Sequence, residues 1–344
     1  MVTPTARQPA AQAGSATPTT WEEWRRFVDR KRPAPPSPEG PRRSAAQRLA
    51  YHSRFVVVRT PALDKITASV RTLTLLGRHQ DGTARPGLIV TGPPTTGKST
   101  ALQEVGRTYE LHQRSLSHSP VPGRAPVAYI LVPPGASAKS LAAEFARFVG
   151  LPVGPRMTQA LLTATVCSMY TSLGVSLVLV DEIHRLNPRT TGGAEAADFL
   201  KDLSERLPAT FVYAGVDVTD TPLFSGVRGA QLAGRASLVD CDPLPARHGP
   251  QTPFRSTVAA FENALDLTAH RPGSLRRLAP YLHERTAGRI GSLSRLIREA
   301  AITAIVDGTE KITKTSLDAI TLDHLAEEHH RPTHRARRRP PGPR

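Results

Sequence analysis

Gly92-Pro93-Pro94-Thr95-Thr96-Gly97-Lys98-Ser99 has the spacing of a phosphate cradle: two glycines with four residues between them, then a lysine and a hydroxyl. The glycines let backbone N–H groups converge on an anion, and a following helix N-terminus adds its positive dipole end. Lys98 would reach the β- and γ-phosphates, and Ser99 would hold Mg²⁺. A second cluster answers the first. Leu177-Val178-Leu179-Val180-Asp181-Glu182 is an apolar run ending in two acids. Asp181 would orient Mg²⁺ or its water, and Glu182 would polarise the water that attacks the γ-phosphate.

The elements around these residues suit that chemistry. Leu88-Ile89-Val90-Thr91 is a β-branched run, read as a buried strand, and Ser99 to Val105 reads as a helix start. Strand, glycine loop and helix form the context a P-loop needs. Four apolar residues before Asp181 fit a central parallel strand buried on both faces. Its C-terminal carboxylates then emerge at the edge where open α/β sheets bind ligands. A glutamate directly after the magnesium aspartate marks ATPases with a built-in base, and the chain carries no Asn-Lys-x-Asp guanine-reading motif, so ATP is the expected nucleotide.

Further strands are expected at Pro126–Val132, Thr210–Gly215 and Ala236–Val239. Helices are expected at Thr60–Leu76, Ala138–Val149, Leu161–Leu173 and Glu195–Leu207. Five short strands alternating with helices predict a doubly wound parallel α/β sheet over residues 44–250. The stretch Tyr51 to Val58 is expected beside the adenine. From about Pro253 the pattern becomes all-helical, with helices at Thr257–Leu267, Gly273–Thr286, Ser292–Val306 and Thr315–Glu328. These predict a C-terminal helical lid, 251–328, followed by a disordered basic tail, 329–344.

Residues 1–43 read as a disordered, proline-rich arm with one short helix. In it Trp21, Trp24 and Val28 share a helical face, with Thr20 as N-cap. That helix is either a docking peptide or folds back onto the nucleotide domain. The 344-residue chain has a net charge of +16, which polyanion binding or the basic tails alone could explain. Cys167 and Cys241 are expected as buried reduced thiols in a cytoplasmic protein, with a single long-range disulfide as the alternative. No apolar stretch approaches the ~20 residues needed to cross a bilayer, so no membrane partner is expected.

A P-loop sheet with Asp-Glu on its third strand and a helical lid resembles the AAA+ ATPases. Within them the chain is similar to bacterial transposition ATPases of the TniB/TnsC kind. The residues that carry this are Val90 to Thr100, Leu179 to Leu186, Tyr213-Ala214-Gly215 and Gly288-Arg289-Ile290-Gly291-Ser292-Leu293. The resemblance implies ATP and Mg²⁺ as cofactors. It implies a homo-oligomer on double-stranded DNA that recruits or stimulates a DDE-type transposase. Carried over, Gly92, Pro93, Pro94, Thr95, Thr96, Gly97, Lys98, Ser99 and Thr100 match the phosphate loop, and Asp181 and Glu182 the Walker B acids. Arg235 matches an arginine finger, with Arg228 as rival. Arg295 matches the lid's sensor arginine, with Arg289 and Arg298 nearby. The polar residue usual at the end of the fourth strand is replaced by Gly215, leaving Asp217 or Thr219. Arg185 and Arg189 could face DNA or be plain surface charge. A helicase-loader or initiator-like AAA+ ATPase is the alternative, although no helix-turn-helix pattern follows the lid. A nucleotide-gated signalling switch and a scaffold that does not hydrolyse are the others.

Overall fold

The computed structural model describes residues 17–37, 40–54, 56–80, 85–116, 123–186, 190–221, 223–224, 226–246 and 252–337. Three helices precede the first strand: α1 (Trp21–Asp29), α2 (Ala45–Ser53) and α3 (Pro61–Leu76). Then come β1 (Gly87–Thr91), α4 (Lys98–Leu116), β2 (Val127–Leu131), α5 (Ala138–Phe148), α6 (Gln159–Ser172) and β3 (Leu177–Asp181). The α/β part closes with α7 (Thr191–Arg206), β4 (Thr210–Ala214), α8 (Gly226–Ala233) and β5 (Ala236–Asp240). The lid holds α9 (Pro253–Asn263), α10 (Ser274–Arg277), α11 (Ala279–Thr286), α12 (Ile290–Val306), α13 (Lys314–Asp318) and α14 (His324–Arg337).

The five strands form one parallel sheet in the order β2-β3-β4-β1-β5. All five residues of β3 and of β4 are buried, as expected for strands covered on both faces. The ends of β1 and β3 flank β4, so the P-loop and the Asp181 carboxylate rise from the same sheet edge. The sheet and its helices share one core, and the lid has a second, built on Phe254, Val258, Leu293, Leu296 and Ile297.

One open reading is decided here and two expectations change. First, the short helix expected in the arm is present and is folded back into the sheet domain, one of its two readings. Thr20 caps α1 with Glu23 in a capping box, and Trp24 and Val28 are fully buried. Residues 1–16 lie outside the described residues. Second, the tail expected to be disordered continues as α14 through Arg337, past Pro332. Third, lid elements are redrawn. Thr252 caps α9, which begins at Pro253, where the ring suits a first helical turn. The helix expected over Gly273–Thr286 is two helices, and Thr315–Glu328 resolves into α13 and α14.

The sequence assigns the segment from residue 44 to the nucleotide domain with no helix before Thr60, yet it forms α2, which packs on the lid. Arg48 pairs with Glu310, its Nη2 donating to Oε1 at 2.7 Å. The Tyr51 hydroxyl donates to the Ala264 carbonyl at 2.9 Å. His52 Nε2 accepts from the Asp266 N–H at 3.1 Å. Arg298 donates to the carbonyls of His52 and Ser53. These partners lie more than 200 residues from α2, so local pattern could not reveal them.

Candidate active site

The P-loop leaves β1 and turns directly into α4, whose first residue is Lys98. The first N–H groups of that helix have no partner within it and point at the loop. Gly92 takes φ 150° and Gly97 φ 91°, backbone that side chains disfavour. A Cβ at Gly92 would stand 2.4 Å from the Cys241 carbonyl oxygen, because the N–H of Cys241 donates to Thr91 and holds the end of β5 against the loop. Lys98 is buried, and its ammonium donates to the carbonyls of Gly92 and Pro93 at 2.7 and 2.6 Å. Burial pushes this amine below its usual value, while Cys241, Asp181, Glu182 and Asp217 pull it back up. Burial also pushes the Cys241 thiol up to about 11.

Asp181 is 1% exposed and has a partner on each oxygen. Oδ1 accepts the Glu182 N–H at 2.8 Å, and Oδ2 accepts the Tyr129 hydroxyl at 2.7 Å. Burial ahead of the Asp181 charge raises the Tyr129 phenol far above its usual value, so it stays a donor. Glu182 adopts a left-handed conformation, φ 61°. Its Oε2 lies 3.1 Å from Arg185 Nη2 and 3.5 Å from His184 Nε2. Thr95 and Asp217 also have positive φ, so three of the five such non-glycine residues among those described border this site.

A cavity of about 570 Å³ opens over these groups. Pro94 to Ala101, Glu182 and Val56 to Val58 line it from the sheet domain, and Ile290, Gly291, Ser294 and Arg295 from the lid. The volume suits a small molecule. Of the residues expected at phosphate or sensor positions, Pro94, Thr95, Thr96, Gly97, Lys98, Ser99, Thr100, Glu182 and Arg295 border the cavity. Gly92 and Pro93 form the base of the loop under Lys98. Among the lid arginines, Arg289 is directed to the Leu325 carbonyl and Arg298 to α2, so only Arg295 of the three lines the cavity. Tyr51 and His52, expected beside the adenine, face the lid instead, and Val56 to Val58 line the cavity.

Arg235 stands elsewhere. Ala236 pairs in register with Gly87, at the sheet edge opposite the P-loop. Arg235 Nη1 lies 3.6 Å from Glu205, in a smaller depression of about 250 Å³ with Asp198, Asp202 and Gln231. Within one subunit it cannot meet Lys98. Arg185 donates to the Val132 carbonyl at 3.0 Å besides pairing with Glu182, so it packs beside the site. Arg189 lies outside the described residues.

Two functional candidates escape sequence reading. Tyr129 is one. His184 is the other: its Nδ1 accepts the Val216 N–H at 3.3 Å, and it lines the cavity. A Cβ on Gly215 would come within 3.0 Å of that Nδ1. The missing side chain at the end of β4 therefore makes room for a polar ring arriving from the end of β3. The two-residue spacing from Glu182 was the available signal for His184. Tyr129 has no local signal.

The residues present fit a nucleotide and Mg²⁺. Ser99 and Asp181 supply a hydroxyl and a carboxylate, the sparse protein ligation Mg²⁺ takes when phosphates complete its shell. No group of three or more His, Cys, Asp or Glu suited to a metal occurs among the described residues. The Ser294 hydroxyl is buried at the lid wall with no hydrogen-bond partner among the described residues, as a polar ligand would require.

Residues 81–218 match the AAA domain family. That match contains the P-loop, both acids and the Gly215 turn, and the parallel sheet with its surrounding helices has the P-loop AAA+ fold. No curated protein matches the sequence. The Orc1 protein of Aeropyrum pernix, solved in complex with DNA, is 17% identical, aligned over 81% of this chain and 66% of its own, with a TM-score of 0.55. Cdc6p of Pyrobaculum aerophilum is 14% identical over 75% of this chain and 66% of its own, with a TM-score of 0.54. The Aeropyrum pernix ORC2 protein, solved in ADPNP–ADP complexes, is 13% identical over 76% and 68%, with a TM-score of 0.55. The chain spans just under two thirds of the first two. At these identities the likeness is one of fold. An AAA domain with this fold implies nucleotide binding. No described helix is long and apolar enough to cross a membrane.

Proposed function

We propose that the chain is an ATP-binding and ATP-hydrolysing AAA+ ATPase that assembles on double-stranded DNA in the manner of an initiator or loader. The observation that carries the ATPase reading is the cavity lined by the buried Lys98, by Glu182 and by Arg295, with the buried Asp181 carboxylate directly before Glu182 and bonded to its N–H. Lys98 and the α4 N-terminus would bind phosphate. Ser99 and Asp181 would hold Mg²⁺, which supplies charge neutralisation on the phosphates. Glu182 would take the proton of the attacking water, held there by Arg185 and His184. Arg295 would close on the nucleotide from the lid.

The DNA reading draws on the +16 charge and on a structural relative solved with DNA. The initiator-like reading draws on the Orc1 and Cdc6p folds. The transposition reading, with a DDE-type transposase as partner, draws only on the sequence motifs around Asp181 and Gly288. ATP titration of wild type and Lys98→Ala tests the first step. Loss of a charge-assisted contact of roughly 1.5–3 kcal/mol should weaken binding about tenfold or more. Equal affinity in the two proteins would remove Lys98 from the site. Duplex binding should strengthen with ATP and weaken steeply with salt. ATP-independent binding would leave a nucleotide site unconnected to DNA. A choice between replication and transposition partners then rests on which proteins co-assemble with the ATP-bound form.

A further inference from the structure

We propose that Tyr129 is the positioning residue for the Asp181 carboxylate, and that Trp24 on helix α1 holds Tyr129 in place, so that the N-terminal helix tunes the site's demand for Mg²⁺. This rests on the reading of Asp181 as the magnesium carboxylate.

The sheet register sets up the contact. Tyr129 on β2 pairs with Leu179 on β3. Asp181, two residues further along, therefore lies on the same sheet face and diagonally opposite, within reach of a tyrosine hydroxyl. The hydroxyl takes Oδ2, and the Glu182 N–H takes Oδ1. Both carboxylate oxygens are thereby fixed, and rotation of the group would break at least one bond. Tyr129 and Asp181 are each 1% exposed, so water has little access to replace the phenol.

The opposite support comes from α1. Trp24 stacks on Tyr129 with ring centroids 5.8 Å apart and planes 7° from parallel. Trp24 is itself pinned, its Nε1 donating to the buried Glu110 carboxylate, which also pairs with Arg114. It reaches the sheet through a slot in α4 at Gly106. A Cβ there would lie 2.8 Å from the indole Cη2 and 2.6 Å from Leu179 Cδ1. Arg107, next on α4, donates to the Val28 carbonyl at 3.1 Å and secures the other end of α1. A continuous chain of contacts thus runs from the N-terminal helix through Trp24 and Tyr129 to Asp181.

Groups that orient a metal ligand commonly matter about 10–100-fold for metal affinity. The test measures ADP binding to the full chain calorimetrically, in EDTA and across a Mg²⁺ titration. Tyr129→Phe keeps the ring and removes only the hydroxyl. It should leave ADP affinity in EDTA within twofold of wild type and raise the Mg²⁺ midpoint about tenfold. Trp24→Phe should move the midpoint in the same direction by less, and the double variant should move it no further than Tyr129→Phe alone, since both act through one hydroxyl. A Mg²⁺ midpoint unchanged in Tyr129→Phe overturns the proposal while leaving the nucleotide site intact. A lower melting temperature in Trp24→Phe with an unmoved midpoint reduces Trp24 to packing and overturns its part. If Tyr129→Phe does not fold, Trp24→Phe alone decides, by the same criterion. Wild type that binds no ADP with or without Mg²⁺ overturns the functional reading, and this inference with it.

Discussion

The backbone N–H of Gly291, at the start of lid helix α12, donates to the Thr95 carbonyl in the P-loop at 2.9 Å. The lid therefore stands on the phosphate loop itself. Ile290 adds to the joint, since a Cβ on Gly97 would touch its Cγ2 at 3.0 Å. Thr95 is held at φ 63°, a conformation that a threonine adopts only when its surroundings impose it. Any ligand that moves the loop must move the lid, and Arg295 lies one helical turn beyond the joint.

Gly291→Ala tests this joint. In an isolated helix the change would stabilise by about 1 kcal/mol. Here the new Cβ would lie 2.8 Å from the Thr95 carbonyl oxygen, and a backbone atom cannot swing aside as a side chain can. The clash should win, lifting the lid from the loop. We expect ATP affinity to fall about tenfold with the sheet domain still folded, as read by titration calorimetry and circular dichroism. Affinity equal to wild type would mean the lid joint plays no part in binding.

Glu182→Gln should bind ATP as wild type does and turn it over about 100-fold more slowly or worse, the usual worth of a general base. Glutamine preserves the shape that Arg185 and His184 grip, but it cannot accept the water's proton. Phosphate release in single-turnover assays is the measurement. Near-normal release would take Glu182 out of the reaction.

The α2–lid seam should loosen in mild acid. Burial holds the His52 imidazole below its ordinary value, ahead of Asp266, which pulls the other way. As pH falls, the unfolded chain therefore takes up this proton first, and stability falls with it. The contribution is whole above about 6.5, the unfolded value, and is lost as pH drops from there towards the lower folded value. Protonated His52 can no longer accept the Asp266 N–H. Melting temperature should fall between pH 7 and pH 5, and His52→Gln, which keeps an acceptor without titrating, should flatten that slope. An identical slope in both proteins would place the acid sensitivity elsewhere.

What sequence could reveal follows contact distance along the chain. The P-loop and the Asp181–Glu182 pair are each local, a strand end and the residues after it, so spacing and residue type expose them. The parallel sheet follows from five apolar runs separated by helices, and its neighbours in space agree. Trp24 shows the limit. Its helical face is readable, but the slot at Gly106 that admits it lies 82 residues on, and only packing joins the two. Gly215 is similar: as a string it is a missing polar side chain, and in space it is room for His184. Helix α2 belongs to the lid through Arg48–Glu310, a pair with no signature along the chain.

Arg235 carries the last prediction. It sits at the sheet edge opposite its own P-loop, so a catalytic role requires a neighbouring subunit. Its contact with Glu205 spans 3.6 Å and both side chains are exposed, 38% and 58%. Such a pair is worth about 1 kcal/mol or less, too little to hold the arginine from a neighbour's phosphate. Arg235→Ala should therefore leave ATP binding near wild type and cut hydrolysis steeply, about 1000-fold for a finger that stabilises transition-state charge. The arrangement in trans makes a sharper claim. Each Arg235→Ala subunit retains Glu182, and each Glu182→Gln subunit retains Arg235. Mixing the two inactive variants should create some interfaces with an intact Glu182 on one side and an intact Arg235 on the other. ATP turnover should then reappear and rise to a maximum near equal ratios. Absence of rescue in mixtures that co-assemble by light scattering would exclude a finger at Arg235.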